Sequence, residues 1–353
     1  MAVTRDFLGD LPRWLGEAWA QRLSDAPLPE RGPLLATPLP DKAVTLRRVE
    51  DISVAAGSIT PPLLDPELIL FQIIEGAHPF QDPSADPSLA TCTVPLGATT
   101  ASYDAAVRLV RDFVQSGSAD RRRLKATLAR QVRTEEFLAA IDYPVAAADQ
   151  GTLAVRAFGG PSPWGEPGCR MLQVVTTAGQ PVGAAADGQT RLASAVRLTV
   201  RFDPQTVAEY RLLGHEATST VGLLDVPVEV NLRPGQTSVG LFELRLKSSS
   251  RDPVGWATLT WYDREAEFHQ LRQPIGRLQF ASTFAESALP LQVAVLVAET
   301  AELLRGSPFA QRPHSSLKAV RQMAEQVDPA WQEEPSFAAF VSFLETALQA
   351  GLR

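Results

Sequence analysis

The chain has 353 residues, 45% hydrophobic and 21% charged, which excludes the disordered class and leaves room for two or three domains, each with its own core. A formal net charge of −7 argues against a general nucleic-acid binder, because phosphate contacts need a clustered positive surface. The 28 prolines gather before residue 100 and recur between later segments, which suggests long ordered connections.

Residues 1–30 lack the pattern of a signal peptide, since Asp6, Asp10 and Glu17 interrupt the stretch that should be apolar. The longest apolar run, 289–298, falls far short of the roughly 20 residues needed to cross a bilayer. The expected location is cytoplasmic, with a peripheral place at a membrane complex left open. Cys92 and Cys169 form no Cys-x-x-Cys pair and are expected as free thiols, the default without a secretion signal.

In chain order, residues 6–23 put Phe7, Leu11, Trp14, Leu15, Ala18 and Trp19 at helical spacing, so one face is apolar. Such a helix either packs on its own domain or, given its tryptophans, docks on a partner. A Pro-rich arm (26–41) and short strand-like pieces (43–72) follow, and 74–101 returns to loop. Val107, Val110 and Val114 then share a helical face, as do Leu124, Leu128 and Val132. Thr134 can cap a short helix carrying Phe137, Leu138 and Ile141, with Glu135 and Glu136 placed well for its dipole.

The middle reads as β. In 196–202 Val, Leu, Val and Phe alternate with Arg, Thr and Arg, giving one buried and one wet face. Residues 226–232 repeat the pattern with Pro227 suited to an edge. In 237–247 the inward set shifts between Leu241 and Phe242, as a bulge would produce. Segments 207–213 and 255–262 complete five antiparallel strands, the number and spacing of a sandwich or barrel. The end reads as helical: 280–304, interrupted near Pro290; a second helix marked by Leu317, Val320, Met323 and Val327; a third by Phe337, Phe340, Phe343 and Leu344.

Two groups of segments carry a family likeness. The first comprises TTASYDAAVRLVRDFVQSG (99–117), VRTEEFLAAIDYP (132–144) and PSPWGEPGCRMLQV (161–174). It resembles the region preceding the von Willebrand factor A (vWA) domain in bacterial vWA-containing surface lipoproteins. The second comprises VRFDPQTVAEYRLLGHE (200–216), LRPGQTSVGLFEL (232–244), ATLTWYD (257–263) and 282–310. It is similar to the region following that domain. The likeness implies the family's flanking scaffold with the vWA domain missing, since only 176–194 separates the two parts. A vWA domain holds a divalent cation through D-x-S-x-S. The nearest fragments, Asp51-Ile52-Ser53 and Asp82-Pro83-Ser84, do not continue to a second serine. The resemblance therefore does not bring the metal-dependent adhesion site. If a domain was lost, 170–175 and 196–202 should lie adjacent in one sheet, with 176–195 an exposed loop.

Catalytic patterns are not found. His78, His215, His269 and His314 show no His-x-x-x-His spacing, and His215-Glu216 reads as a strand-end surface pair. Gly160-Pro161-Ser162-Pro163-Trp164 fails the nucleophile-elbow pattern, and no phosphate-cradling glycine loop occurs. Glu265 and Glu267 show no sign of converging with other donors. Arg121, Arg122 and Arg123, with Lys125, Arg130 and Arg133, form a basic helix face. Solvation is its ordinary use, and an acidic protein or phospholipid headgroups are the next.

The expected fold is α+β: an antiparallel β-sandwich-like core with a small helical unit, a Pro-rich N-terminal arm and a C-terminal helical segment. The expected segments are 1–98 (helix and arm), 99–175 (vWA-preceding), 176–195 (linker), 196–263 (β-rich, vWA-following) and 264–353 (helical). The expected function is that of a non-catalytic accessory subunit on a larger protein complex, membrane-bound complexes included, with no cofactor, metal or nucleic acid. Trp14, Trp19, Phe71 and Phe80 are its candidate anchors and Arg121, Arg122 and Arg123 its candidate charge contacts. The alternatives are an enzyme with a convergent site near His215 or His269 and a small-ligand regulatory module.

Overall fold

The computed structural model describes residues 80–165, 168–180, 192–215, 230–247, 253–310 and 312–352. Trp14, Trp19, Phe71, the 6–23 helix, the Pro-rich arm and the 43–72 pieces lie outside the described residues. Those described fall in one compact unit, Pro61–Arg353. They form an α+β fold with seven helices and two antiparallel sheets.

One sheet runs β1 (Thr91–Val94), β4 (Ala193–Phe202), β8 (Gly255–Tyr262) and β9 (Phe268–Ile275), with β6 (Val230–Leu232) also paired to β4. We call it the outer sheet. The inner sheet runs β2 (Leu153–Pro161), β3 (Cys169–Ala178), β7 (Thr237–Leu246) and β5 (Val207–Leu213). Between the two lies the sandwich core, which includes Leu172, Val174, Leu198, Val200, Phe202, Tyr210, Phe242 and Leu259. The strict alternation of 196–202 appears in β4 as expected: Val196, Leu198, Val200 and Phe202 are buried, and the residues between them are not.

The inner sheet differs because it is covered on both faces. Its other side, through Met171, Leu213 and Leu241, joins a second core shared with the helices. This removes the bulge expected at Leu241/Phe242: β7 pairs with β3 without a register shift across both residues. Phe242 points into the sandwich and Leu241 to the helices, so both are buried with no extra residue in the strand. The shift lies instead in β5, between Val207 and Glu209.

The helical layer consists of α1 (Ala101–Gln115), α2 (Arg121–Gln131), α3 (Thr134–Ala139), α4 (Leu289–Arg305), α5 (Leu317–Ala324), α6 (Pro329–Gln332) and α7 (Pro335–Gln349). Apolar on nearly every side, α4 is the buried axis of the layer. Pro290 does not interrupt it but sits in its first turn, where a missing N–H costs nothing. Gly306 ends it at φ 72. Residues 281–288 form no helix and approach β2 so closely that a Cβ on Gly160 would lie 2.2 Å from Ser287 Oγ. Thr134 does not cap α3; its hydroxyl donates to Glu302 instead. Glu136 caps a different helix, accepting from the Ser102 amide at 2.5 Å near the start of α1.

Three further expectations change. The 170–175 and 196–202 segments fall in opposite sheets, β3 and β4, facing one another across the sandwich. The inner face of each is apolar, so they meet by packing and not by backbone pairing. Thr176, Thr177 and Ala178 are buried strand residues, not exposed loop. The segment expected to be purely helical, 264–353, contributes β9, and the 74–101 loop contributes β1.

Both cysteines are free. Burial pushes the Cys92 thiol up to about 12 and raises that of Cys169 further, where the neighbouring Glu243 adds to the effect. Only thiolates react readily. Native protein at pH 8 is therefore expected to resist a disulfide-exchange reagent that labels both thiols after denaturation. Rapid native labelling of either would contradict the packing around it.

Candidate functional site

Two features concentrate charge. The first is the α1–α2 hairpin. Residues 101–133 carry eight basic residues (Arg108, Arg111, Arg121, Arg122, Arg123, Lys125, Arg130 and Arg133) against three acidic ones (Asp104, Asp112 and Asp120), in a chain of net charge −7. Asp120 caps α2 by accepting from the Arg123 amide at 2.9 Å, and Leu124 and Leu128 bury the opposite face. Arg121, Arg122 and Arg123 are all exposed in the first turn. That is the positive end of the helix dipole, where each cation costs about 0.3–1 kcal/mol. Arg121 is partly used within the fold: a Cβ on Gly351 would lie 2.6 Å from its Nε, placing its guanidinium beside the C-terminus of α7, where a cation is favoured. Among the described residues, Arg122 and Arg123 make no ion pair.

The second feature is a buried ionic network joining the inner sheet to the helices. Arg211 on β5 donates to Glu243 on β7 at 2.8 Å, and each is about 5% exposed or less. Arg312 donates to the other Glu243 oxygen at 2.9 Å and to the Trp164 carbonyl at 2.9 Å. The Cys169 thiol adds a contact at 3.0 Å. Glu302 on α4 takes Thr134 at 2.9 Å and Arg305 at 3.3 Å, and lies 3.8 Å from Arg211. The Arg211 guanidinium also lies over Phe309, 3.8 Å from its centroid.

Burial alone would raise the Glu243 carboxyl, but Arg211 and Arg312 outweigh it and hold it at about 2. Glu302 is likewise held low against burial, chiefly by Arg305 and then Arg211. Glu299 differs. Burial pushes it up to about 7, and the nearby Glu302 adds to that, although Ser315 donates to it. These groups border a cavity of about 20 Å³, room for about one water. Glu243 and Glu302 are paired with arginines from other elements, so the network joins the inner sheet to the helices. An open hollow of about 210 Å³ lies between α5 and α7, spanned by the Arg321–Glu345 ion pair at 2.7 Å.

The remaining candidates are spread apart. Phe80 meets Phe309 edge-on at 6.0 Å, with Arg245 at 5.3 Å from its ring, so this anchor is engaged inside the chain. His215 is buried rather than on the surface. It and Gly214 both have positive φ, 64° and 79°, which turns the chain inward against the start of α3. His269 lies in the other sheet, on β9, stacked on Trp261 at 5.3 Å. It donates to Asp263 at 2.6 Å. Asp263, Glu267 and His269 bring donor atoms within 4.8 Å of one another, a convergence the sequence reading missed. The Asp263 carboxylate is already occupied: it accepts from the amides of Glu265 and Glu267 and from His269, as the internal acceptor of a hairpin turn. Among the described residues no helix is long and apolar enough to cross a membrane.

Compared with known proteins, the chain matches no family model, no curated protein and no solved structure.

Proposed function

We propose that this chain is a non-catalytic interaction subunit that docks on a larger protein assembly, at a membrane or away from one, through the basic face of α1–α2 and the segment before residue 80. The observation that carries this reading is the placement of Arg122 and Arg123. They stand exposed at the unfavourable end of a helix dipole, without an ion pair among the described residues, in the most basic stretch of an acidic chain. A local rule broken with no gain among the described residues points to a gain elsewhere. The vWA-flanking likeness of 99–117 and 200–216 is consistent with a scaffold role and supplies no catalytic group.

The test is copurification of untagged protein from its host, comparing wild type, R122E/R123E and a chain lacking residues 1–40. Wild type is expected to elute with an assembly, and each variant to lose on the order of tenfold in retention, as for charge contacts at an interface. R122E/R123E should keep the wild-type circular dichroism spectrum, and the shortened chain should still unfold cooperatively. Undiminished association, or a wild type that is monomeric and partner-free in host extract, would overturn the reading. Binding to anionic vesicles by purified protein would identify lipid as the contact instead.

A further inference from the structure

The solvent face of the outer sheet is a second charged surface, on the side of the sandwich away from the helices. The alternation of β4 that buries Val196, Leu198, Val200 and Phe202 turns Arg197 and Arg201 outward. In register beside Arg201 on β8 stands Trp256. From β9, exposed Arg272 places its guanidinium 4.7 Å from the Trp256 ring centroid. At the hairpin end of the same face, Tyr262 and Phe268 pair directly. They are 44% and 57% exposed, with ring centroids 5.6 Å apart. They are two of the three large hydrophobics exposed among the described residues.

What sets this face apart is what it lacks. Strands β1, β4, β6, β8 and β9 contain no aspartate or glutamate, in a chain that has 40; the acidic residues Asp263, Glu265 and Glu267 stand beyond them, in the β8–β9 turn. The inner sheet, by contrast, mixes Glu209 and Glu243 with its arginines and pairs them, as in Arg245–Glu209 at 2.6 Å. Arg197, Arg201 and Arg272 make no ion pair among the described residues. A solvated face needs polar residues, and the outward threonines supply those. It does not need every charge within the strands to carry one sign, as these do.

We propose that the strand face centred on Trp256 is a docking surface for an acidic segment of a partner protein, with Arg197, Arg201 and Arg272 meeting its carboxylates and Trp256 its side chains, away from the acidic β8–β9 turn. Arginine and large aromatics side by side are the composition of interface hot spots, and charge complementarity selects the partner. Arg197 and Arg201 are four residues apart on one strand, about 13 Å at the rise of a β-strand. That spacing serves a few carboxylates well and a phosphate backbone poorly, because nucleic-acid affinity grows with the number of phosphates neutralised. This proposal does not rest on the α1–α2 reading, and its test is arranged so that the two can fail separately.

Fluorescein-labelled poly-glutamate peptide is titrated by anisotropy at low and at physiological salt. The starting protein is R122E/R123E, so that peptide bound at α1–α2 does not enter. The expected result is salt-sensitive binding, weakened on the order of tenfold by adding R201E/R272E and by a smaller factor by adding R201Q/R272Q. These side chains are surface groups, and an unchanged thermal midpoint will show that the variants fold. Three outcomes would overturn the proposal: no binding by R122E/R123E, equal binding after charge reversal on the sheet, or tighter binding of an oligothymidylate of equal charge. The last would make the face a nucleic-acid surface.

Discussion

Replacing Arg211 by methionine is expected to destabilise the fold by about 3–5 kcal/mol, the range for removing one partner of a buried ion pair. Arg211 is 5% exposed and serves Glu243 and Glu302, each 3% exposed. Without it both carboxylates stay in the interior, Glu243 with Arg312 and Glu302 with Arg305. Each carboxylate is then left with one cation and has lost the guanidinium donor that reached both, in a place water cannot fill. Methionine fills the space against Phe309 but donates nothing. The double variant R211M/E243M is expected to recover most of the loss, because an apolar pair of similar volume replaces a charged one. Arg312 tolerates the change, its side chain being 22% exposed and able to turn to solvent. Urea denaturation followed by tryptophan fluorescence measures both. If R211M costs less than about 1 kcal/mol, or if the double variant is no better than the single, the network does not fasten the layers.

The second large effect is a dependence on pH that runs opposite to the usual one. Glu299 is raised to about 7 in the folded chain from an ordinary 4.5. Its protonated form is therefore favoured by folding. The stability this gives is complete below about pH 4.5 and is lost as pH rises through 7, with a span on the order of 3 kcal/mol. Glu243 is held at about 2 and Glu302 is also held low, so their contribution is present above about pH 4.5 and is lost as pH falls below it. Together they place maximum stability near pH 5, with a decline on both sides. E299Q keeps the acceptor for Ser315 and removes the titration. It is expected to flatten the limb between pH 5 and 8, to leave the acid limb unchanged, and to be more stable than wild type at pH 8. Thermal midpoints across this range decide the matter, and a parallel decline of both proteins above pH 5 would assign it to another group.

Which parts were legible follows from how many faces of an element meet water. The β4 pattern reads directly because one face is wet, and α7 reads from Phe337, Phe340, Phe343 and Leu344, all buried. The inner sheet does not announce itself in this way. With both faces covered, Leu241 and Phe242 lose the period of two that marks a strand and imitate a bulge. The reverse defeats β9: its inward set is His269, Leu271, Gln273 and Ile275, hardly apolar, and Pro274 argues for an edge at most. The basic face of α2 was visible because its residues are contiguous. The buried network was not, because Thr134, Arg211, Glu243, Glu302 and Arg312 come from distant segments. The one local hint lay in Arg211 and Glu243, single charges within otherwise apolar strands, which register brings opposite one another.

The helical layer is assembled from segments on both sides of the inner sheet in the sequence: α1 to α3 lie between β1 and β2, and α4 to α7 follow β9. Synthesis therefore delivers the strands before the helix that covers them. While α4 is still unmade, Met171 on β3 lacks its cover, and the Arg211–Glu243 pair lacks Arg312 and the shelter of α4. Such a chain is a sandwich with one apolar side, the kind of unfinished surface that attracts chaperones or other nascent chains. The covering is sequence-distant, and contacts of that kind form late because loop-closure entropy is met before they yield any gain. The order of synthesis thus makes arrival of α4 the step at which aggregation risk ends.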